Sequence, residues 1–291
     1  AGFFYPIFLT FLSSPSVIYD IFPFIFLIST KFFFIKISEK NELNIYKRYG
    51  LTNFKILKLV KKKKEIKTKD ESDAYRYRGD CYRLMGEYQD ALNDYNAAIN
   101  LNDKDTDYYG RRAYLFSKCL VEPDKALSDC SRIVELEPNQ SGSYRTRADI
   151  YSENGRYADA IKDYSMTISM NPESYLDYIR RAETYASLQD FDEALLDCSE
   201  AIRLSSGAIN AYESRGDVHR LAGEHQSAVD DYTKVIGIDS EYSSAYKKRG
   251  QAYYDLDEFQ KSVDDYTDSA RLDPLDDSLL RAKADAFIAL G

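Results

Sequence analysis

One short pattern recurs six times between Ser72 and Pro274 and constrains the fold more than any other feature of the sequence. Each copy contains a first apolar stripe with the motif Tyr-x-x-Arg and a small residue, followed by a second stripe that begins at Ala91, Ala126, Ala160, Ala194, Ala228 and Ser262. Successive starting points are separated by 35, 34, 34, 34 and 34 residues. A fixed period of this size, with two helical stripes in each period, is typical of stacked helix pairs. We therefore expect an array that presents a long surface.

The charge is divided unevenly along the chain. Residues 1–70 carry 13 Lys and Arg against 5 Asp and Glu, a net charge of +8, whereas residues 71–291 carry 26 against 43, a net charge of −17. This division predicts an apolar, phenylalanine-rich segment at 1–36, a lysine-rich linker at 37–70 and the repeat array at 71–291. The acidic charge of the array argues against nonspecific binding of nucleic acid.

Two interpretations of the front segment stay open. Ten of the 15 phenylalanines fall within residues 1–34, and a basic stretch follows, as expected for a membrane anchor. Pro6, Pro15 and Pro23, however, divide the apolar run into pieces shorter than the ~20 residues that a spanning helix needs. The basic residues also follow the apolar part, unlike those of a cleavable signal. The alternative is a disordered or artefactual extension that resembles translated noncoding sequence.

Within each period, the first stripe predicts a helix whose packing face carries a small residue. Tyr75 and Gly79 lie four residues apart and therefore one turn apart on the same face. The small residue allows close approach of the second helix. It recurs as Gly79, Ala113, Ala148, Ala182, Gly216 and Gly250. Turns between the paired helices are predicted at Gly86, Gly155 and Gly223. The single 35-residue step predicts one extra residue near Val121.

Several recurring residues resemble the signature of the tetratricopeptide repeat (TPR), with tyrosine where that family most often has tryptophan: Tyr75, Gly79, Tyr82, Ala91, Tyr95 and Ala98. The resemblance covers about residues 72–291 and implies an all-α, right-handed superhelical α-solenoid of six helix-pair units. The expected units are 72–105, 106–140, 141–174, 175–208, 209–242 and 243–276. A terminal helix at 277–290 is expected to cap the last apolar face, although its abrupt end is equally compatible with truncation.

Arginine precedes the small residue in every unit, and aspartate recurs in every second helix. The arginines are Arg78, Arg112, Arg147, Arg181, Arg215 and Arg249, and the aspartates are Asp94, Asp129, Asp163, Asp197, Asp231 and Asp265. One interpretation is a row of arginines that bind phosphate or carboxylate groups of a ligand. We favour a structural interpretation, in which each arginine pairs with an aspartate between the helices, because both charges are then satisfied at a packing face.

The sequence offers no constellation of residues for catalysis. The four cysteines fall at different repeat positions without Cys-x-x-Cys spacing: Cys81, Cys119, Cys130 and Cys198. We therefore expect reduced core thiols, without a zinc site or a disulfide framework, in an intracellular and cytoplasmic protein. His219 and His225 replace aromatic residues of other units, so we expect core or half-buried side chains. The prediction is a non-enzymatic protein with no catalytic residue, cofactor or metal.

The TPR resemblance implies a concave groove, lined by the first helices, in which side chains off the packing face bind a partner. The expected groove residues are Arg76, Tyr77, Asp80, Arg83, Arg111, Tyr114, Arg145, Asp149, Ile179, Arg180, Glu183, Glu213, Asp217, Arg220, Lys247, Lys248, Gln251 and Tyr254. Their mixed charges suit an extended peptide or a helix of mixed charge from a partner protein. We therefore predict a protein-interaction scaffold.

Three alternatives stay open. The first is a membrane-tethered TPR receptor, anchored through residues 1–36 with the array in the cytosol. The second is a chaperone-associated adaptor, suggested by the similar stretches 127–130 and 195–198, although no unit supplies the asparagines of the carboxylate clamp that binds chaperone tails. The third is an accessory region of an enzyme whose catalytic part follows Gly291. The partner and the oligomeric state stay open in all of them.

Overall fold

The structure, a computed structural model, describes residues 69–291. The predicted apolar segment at 1–36 and all but the last two residues of the predicted linker lie outside the described residues. Every regular element from Lys69 onward is a helix, and none of these helices is long and apolar enough to cross a membrane. The described residues divide into two compact units, 69–115 and 116–291.

Three helices form the described part of the first unit: α1 Lys69–Leu84, α2 Tyr88–Leu101 and α3 Thr106–Tyr114. Helix α1 packs against α2, and α2 packs against α3. The predicted second stripe is confirmed, because Ala91, Tyr95 and Ala98 of α2 are fully buried. Asp105 caps α3, where its carboxylate accepts a hydrogen bond from the backbone N–H of Asp107 at 3.1 Å.

A π-helical segment, Leu115–Leu120, follows α3 and leads into the second unit. That unit contains α4 Pro123–Leu136, α5 Ser141–Glu153, α6 Tyr157–Met170, α7 Tyr175–Ser187, α8 Phe191–Leu204, α9 Ile209–Leu221, α10 His225–Ile238, α11 Ser243–Asp255, α12 Phe259–Leu272 and α13 Asp277–Leu290. Each of these helices packs against the next in sequence, and α7 also contacts α9. Along the described chain, six helix pairs are followed by one terminal helix, which confirms the all-helical prediction.

The small residue of a first helix lies against a side chain of the second helix. A Cβ atom added to Gly216 would lie 2.7 Å from Cε1 of Tyr232, and one added to Gly79 would lie 2.7 Å from Cε1 of Tyr95. A methyl group therefore fits at these positions only if the ring moves. The predicted close approach of the paired helices is confirmed.

In most pairs the two packing residues compensate for each other in size, because glycine stands opposite tyrosine and alanine opposite cysteine. Ala182 packs in one core cluster with Cys198, which takes the place of the tyrosine. Ala148, by contrast, packs with Tyr164 in a core cluster that also includes Ala160. Glycine is thus not required opposite every tyrosine, and the alanine–cysteine combination is a second solution to the same packing problem.

Each turn between paired helices contains one residue in the left-handed backbone region. These residues are Gly86, Val121, Gly155, Gln189, Gly223 and Asp257. The following N–H closes the turn on a carbonyl five residues earlier, as Arg156 donates to Tyr151 and Glu224 donates to His219, at 2.9 and 2.8 Å. This bond is characteristic of the Schellman C-cap, which favours glycine because glycine has no Cβ atom.

The predicted extra residue lies in the turn of the second pair. There Glu122 donates to the carbonyl of Phe116, six residues earlier instead of five, at 2.8 Å. The wider π-helical turn at Leu115–Leu120 therefore absorbs the insertion. Val121 keeps the left-handed position with a φ of 55°. The insertion is thus local, and the 34-residue period resumes from α4.

Ion pairs join the two helices of a pair. Arg181 of α7 donates from Nε and Nη2 to the two carboxylate oxygens of Asp197 in α8, at 2.7 and 2.8 Å. The same arrangement joins Arg78 to Asp94, Arg147 to Asp163, Arg215 to Asp231 and Arg249 to Asp265. All five aspartates are buried. The predicted pairing is confirmed at these positions, so these arginines hold the helices together instead of facing a ligand.

Candidate functional site

Two further positions of the first helices carry most of the predicted groove residues. The carboxylate position, two residues after each repeat arginine, is occupied by Asp80, Tyr114, Asp149, Glu183, Asp217 and Gln251. The donor position, one residue before that arginine, is occupied by Tyr77, Arg111, Thr146, Arg180, Ser214 and Lys248. We call the side of the first helices that carries these positions the first-helix surface.

In four cases the residue at the donor position contacts the carboxylate position of the preceding pair, 31 residues earlier in the sequence. In the second unit, Arg180 donates to Asp149 at 2.7 and 2.8 Å, Ser214 donates to Glu183 at 3.0 Å, and Lys248 donates to Asp217 at 2.6 Å. In the first unit, Nη1 of Arg111 lies 3.6 Å from the Asp80 carboxylate. These bonds connect adjacent repeats across the first-helix surface.

A tyrosine from the second helix completes several of these contacts. The hydroxyl groups donate from Tyr95 to Asp80 at 2.8 Å, from Tyr164 to Asp149 at 2.7 Å and from Tyr232 to Asp217 at 2.7 Å. Burial, together with the neighbouring Asp149 carboxylate, raises the pKa of Tyr164 above its usual range. These phenols therefore stay protonated at neutral pH and act as donors. Each of the three carboxylates receives both a phenol and a cation.

The structure thus brings predicted groove residues of opposite charge together in pairs. Arg180 and Asp149 are partners, and so are Lys248 and Asp217. Their charges already neutralise each other. A ligand must therefore bridge these pairs or compete with them.

Arg145 and Asp149 lie four residues apart on α5, but Arg145 pairs with a residue of another helix. Its Nε and Nη2 atoms donate to Asp177 of α7 at 2.5 and 2.7 Å, and the Asp177 side chain is completely buried. Asp177 was not among the residues predicted for the groove. Other units place residues such as Ala211 and Ala245 at the same position, so an aspartate there was a detectable signal. Arg145 stabilises the contact between α5 and α7.

Ile179 does not line an accessible groove, so its assignment to the groove is wrong. Only 4% of the residue is exposed, because it packs in a core cluster with Ala201, Ala208 and Ala211 of the following elements. In the sequence, Ile179 directly precedes Arg180, which was also predicted to line the groove. The neighbouring pair covers it instead.

The remaining predicted residues of the second unit are also held by neighbours. Glu213 accepts hydrogen bonds from Tyr242 at 2.9 Å and Ser244 at 3.1 Å, and it pairs with Lys248 at 2.9 Å. Burial opposes ionisation of Glu213, but these donors outweigh it and lower its pKa. The other contacts are Lys247 with Asp276 at 2.6 Å, Gln251 with Tyr266 at 3.1 Å and Tyr254 edge-on to Phe259 at 5.4 Å, while Arg220 is half-buried.

In the first unit, the predicted residues form a compact charged group. Arg76 is largely buried, lies 3.1 Å from the Asp107 carboxylate and 3.4 Å from that of Asp80, and stacks on the ring of Tyr77. Arg83 lies over the ring of Tyr114, 5.1 Å from its centroid. Such contacts are cation–π interactions, which position the guanidinium without neutralising it. Tyr114 is half exposed and offers an aromatic surface.

Glu183 is the exception among the carboxylate positions. Its donor is the neutral hydroxyl of Ser214. Cys198 stands 15 residues later, where four of the other five units have a tyrosine. Among residues 69–291, no basic group lies within 4 Å of its carboxylate. Desolvation between the packed helices raises the pKa of Glu183, although the side chain stays accessible to solvent.

A cleft of about 390 Å³ opens beside Glu183, between α7 and α9. Ala186, Val218 and Leu221 contribute apolar walls, and Ser214 and Asp217 contribute polar ones. Leu221 is 54% exposed, so the cleft continues into an accessible apolar surface. The cleft combines a carboxylate without a basic partner and an apolar rim.

Comparison with known protein families agrees with this geometry. A tetratricopeptide repeat model matches residues 72–105, and a second tetratricopeptide repeat model matches residues 145–209. This chain is a tetratricopeptide repeat protein. No curated protein sequence matches it.

Solved structures share the fold of this TPR protein. A tetratricopeptide repeat protein from Parabacteroides merdae aligns with a TM-score of 0.57 at 20% identity, over 74% of this chain and 84% of that chain. PilW, a widely conserved type IV pilus biogenesis factor, aligns with a TM-score of 0.60 at 14% identity, over 72% and 97%. A thermophilic TPR protein from Thermus thermophilus aligns with a TM-score of 0.52 at 17% identity, over 63% and 100%. At these identities the likeness concerns the fold.

The cysteines of the TPR protein differ in their surroundings. Cys130 and Cys198 are buried as predicted, and burial raises the pKa of both thiols to about 12. The prediction of core thiols is wrong for Cys81, which is exposed, whereas Cys119 is partly buried. The residue that corresponds to Cys81 in a later unit, Val218, is covered by the preceding helix pair, and no described helix precedes α1.

The histidines are half-buried, as predicted, with 17% of the His219 side chain and 28% of the His225 side chain exposed. Nδ1 of His219 lies 2.6 Å from the Glu224 carboxylate within the turn. Within residues 69–291, no group of three or more His, Cys, Asp or Glu side chains is arranged to hold a metal ion.

Proposed function

We propose that this TPR protein is a non-enzymatic scaffold that binds a segment of a partner protein along its first-helix surface. The TPR fold is generally a protein–protein interaction scaffold. The observation that carries the proposal for this chain is the bonding between donor and carboxylate positions of successive pairs, as between Arg180 and Asp149. These bonds fix polar groups at a regular spacing on one surface.

A surface fixed in this way is suited to binding because little side-chain entropy is lost when a partner docks. The paired groups retain spare hydrogen-bonding capacity, since a carboxylate has about four lone-pair sites and an arginine has five N–H donors. A partner with both acidic and basic groups can therefore bind to the pairs without separating them. An extended peptide or a helix of mixed charge has the required shape.

Thr146 offers a test that leaves the paired charges intact. It occupies a donor position on α5, it is exposed, and its hydroxyl bonds only to the carbonyl of Gly142 in its own helix. Thr146→Trp should obstruct the first-helix surface with little effect on stability. Ser169→Trp on the second helix α6 is a matched control, because Ser169 is also exposed and bonds to a carbonyl of its own helix.

The measurement is capture of partner proteins from a cell lysate by the immobilised full chain and both variants. We expect Thr146→Trp to lose the specifically captured partner and Ser169→Trp to retain it. Equal capture by the two variants would place the binding site elsewhere. Circular dichroism of both variants checks that helicity is unchanged.

Membrane attachment through residues 1–36 stays a prediction that rests on residues outside the described part of the chain. Partition of the expressed full chain between membrane and aqueous fractions tests it. The co-chaperone alternative has no observation in its favour beyond the sequence stretches at 127–130 and 195–198.

A further inference from the structure

We propose that the cleft between α7 and α9 binds a basic side chain of the partner segment, arginine or lysine, with its cation on the Glu183 carboxylate. The proposal rests on the proposed function, because the cleft opens on the first-helix surface. It specifies one chemical feature of the partner, a positive charge at the end of a flexible apolar stem.

Glu183 lacks the internal cation that its counterparts have. Asp149 and Asp217 each receive a basic side chain from the next pair, Arg180 and Lys248 respectively. At the corresponding place opposite Glu183 stands Ser214, whose hydroxyl is neutral. In the second unit, the other two charged carboxylate positions, Asp149 and Asp217, therefore have an internal cation as a partner. Glu183 has none.

Glu183 also lacks a tyrosine hydroxyl. Tyr164 and Tyr232 donate to Asp149 and Asp217, whereas Cys198 occupies the equivalent position behind Glu183. Cys198 is completely buried, and its thiol is too short to replace the tyrosine hydroxyl at the carboxylate. Glu183 thus lacks both partners that its counterparts have. An incoming cation with hydrogen-bond donors would supply what the repeat omits.

The shape and polarity of the cleft suit a long basic side chain. Its volume of about 390 Å³ accommodates one long side chain, and Ala186, Val218 and Leu221 form an apolar wall beside the carboxylate. Arginine and lysine combine a methylene stem, which packs on apolar surface, with a charged head. The stem would cover the exposed part of Leu221 while the head reaches Glu183.

The electrostatic field around the cleft favours a positive charge. Residues 71–291 carry a net charge of −17, which attracts a basic segment at long range and repels an acidic one. Asp217 also lines the cleft, with its charge paired to Lys248. Arg180 and Lys248 act on Glu183 from a distance, but each is bound to another carboxylate. A cation is therefore favoured over an anion or a neutral side chain.

A defined small probe tests the proposal without the natural partner. The full chain, labelled with ¹³C at its methyl groups, is titrated with acetyl-arginine amide and with acetyl-citrulline amide, which has a similar shape without the charge. We expect the methyl resonances of Val218 and Leu221 to shift with the arginine derivative. Glu183→Gln keeps the size of the side chain and should weaken this binding about tenfold, because a charge-assisted hydrogen bond is lost.

Glu193→Gln is the matched control, since it removes the same charge from an exposed position on the second helix α8. It should leave binding of the arginine derivative within about twofold of the parent, because exposed charges act weakly at a distance. A second variant, Cys198→Tyr, restores the tyrosine of the repeat opposite Ala182, a combination that Tyr164 and Ala148 already tolerate. Its hydroxyl should occupy Glu183 and reduce binding severalfold.

Three results would overturn the proposal: unshifted methyl resonances in the parent chain, equal binding of the citrulline derivative, or unchanged binding by Glu183→Gln. Failure of the proposed function gives a different result. If Thr146→Trp and Ser169→Trp capture the same partners while Glu183→Gln weakens the probe, the cleft stands and the wider surface does not. If Thr146→Trp abolishes capture while Glu183→Gln leaves the probe unaffected, the scaffold function stands without this cleft.

Discussion

Asp197 accepts hydrogen bonds from both Nε and Nη2 of Arg181, and the two residues connect the first and second helices of the fourth pair. Only 9% of the Asp197 side chain and 19% of the Arg181 side chain are exposed. A third bond joins Nη1 of Arg181 to Ser165 of the preceding pair at 2.9 Å. One guanidinium therefore connects three helices.

Arg181→Ala should destabilise the protein by about 3–5 kcal/mol, because Asp197 is left as an unpaired buried charge. Urea unfolding measures the loss, and the double variant Arg181→Ala/Asp197→Ala should lose less than the sum of the single variants. Arg203→Ala is the control. It breaks an equally short two-bond contact with Glu200, which is solvent-exposed within α8, and should change stability little. Equal effects of the two arginine variants would contradict the assigned role of burial.

Gly216→Ala should destabilise the protein by about 1 kcal/mol, because the new methyl group meets the Tyr232 ring at 2.7 Å and this overlap outweighs the gain in helix propensity. Gly237→Ala, in the neighbouring helix α10, should instead stabilise by up to ~1 kcal/mol, since no atom lies within 4 Å of its added Cβ. Denaturation midpoints of the two variants are compared. Adding Tyr232→Cys to Gly216→Ala should relieve the overlap, although it forfeits the hydroxyl bond to Asp217. A stabilising Gly216→Ala would argue against the close approach.

Val121→Gly should stabilise the protein by about 1 kcal/mol, because a β-branched residue is strained at a positive φ. Little apolar burial is lost, since 78% of Val121 is exposed. Val121→Ala retains a Cβ atom and should gain less. The converse change at the equivalent turn, Gly223→Val, should destabilise by at least that amount. Thermal and urea midpoints of these variants test this order of stabilities. A Val121→Gly variant less stable than the parent would contradict the assigned backbone strain.

The stability supplied by the Arg145–Asp177 pair should depend on pH. Burial favours a raised pKa for Asp177, but hydrogen bonds from Arg145 and Ser174 outweigh it and hold the pKa below its usual value. A lowered folded-state pKa means that the stabilisation is present above the unfolded pKa of about 4 and is lost as the pH falls through the folded pKa.

The loss of unfolding free energy in Arg145→Ala should therefore be largest at pH 7, on the order of 3 kcal/mol. The difference in unfolding free energy between the variant and the parent should become smaller below pH 4. Urea unfolding at pH 7 and at about pH 3 measures this. Arg271→Ala, which breaks an exposed contact with Asp268 within α12, should show a small effect at both pH values. A difference that stays constant with pH would show that Arg145 acts by packing alone.

Much of the fold was predictable because its determinants are local. The spacing of Tyr75 and Gly79 follows helix geometry, and the 34-residue period fixes the pairing of helices. The Arg–Asp pairs were also predictable, because both residues flank packing positions within a single repeat. The insertion near Val121 was located from the period, but its π-helical form was not, since several backbone conformations absorb one residue.

The candidate site was predicted less well, for a physical reason. The partners Arg180 and Asp149 belong to different repeats, so their contact depends on how far one helix pair is rotated against the next. The constant separation of 31 residues between opposite charges, as also between Lys248 and Asp217, was a signal that the sequence contained. Ile179 was misplaced for the same reason, because the following pair covers it.

The sequence by itself determined the repeat, the packing faces and the pairing of charges within each unit, because these depend on helix periodicity. Only the tertiary structure decided which side chains of neighbouring units meet. A contact between repeats depends on interhelical angles and distances, which no single period encodes. The isolation of Glu183 shows the difference: Ser214 and Cys198 are ordinary substitutions in the sequence, and their consequence appears only where both positions meet one carboxylate.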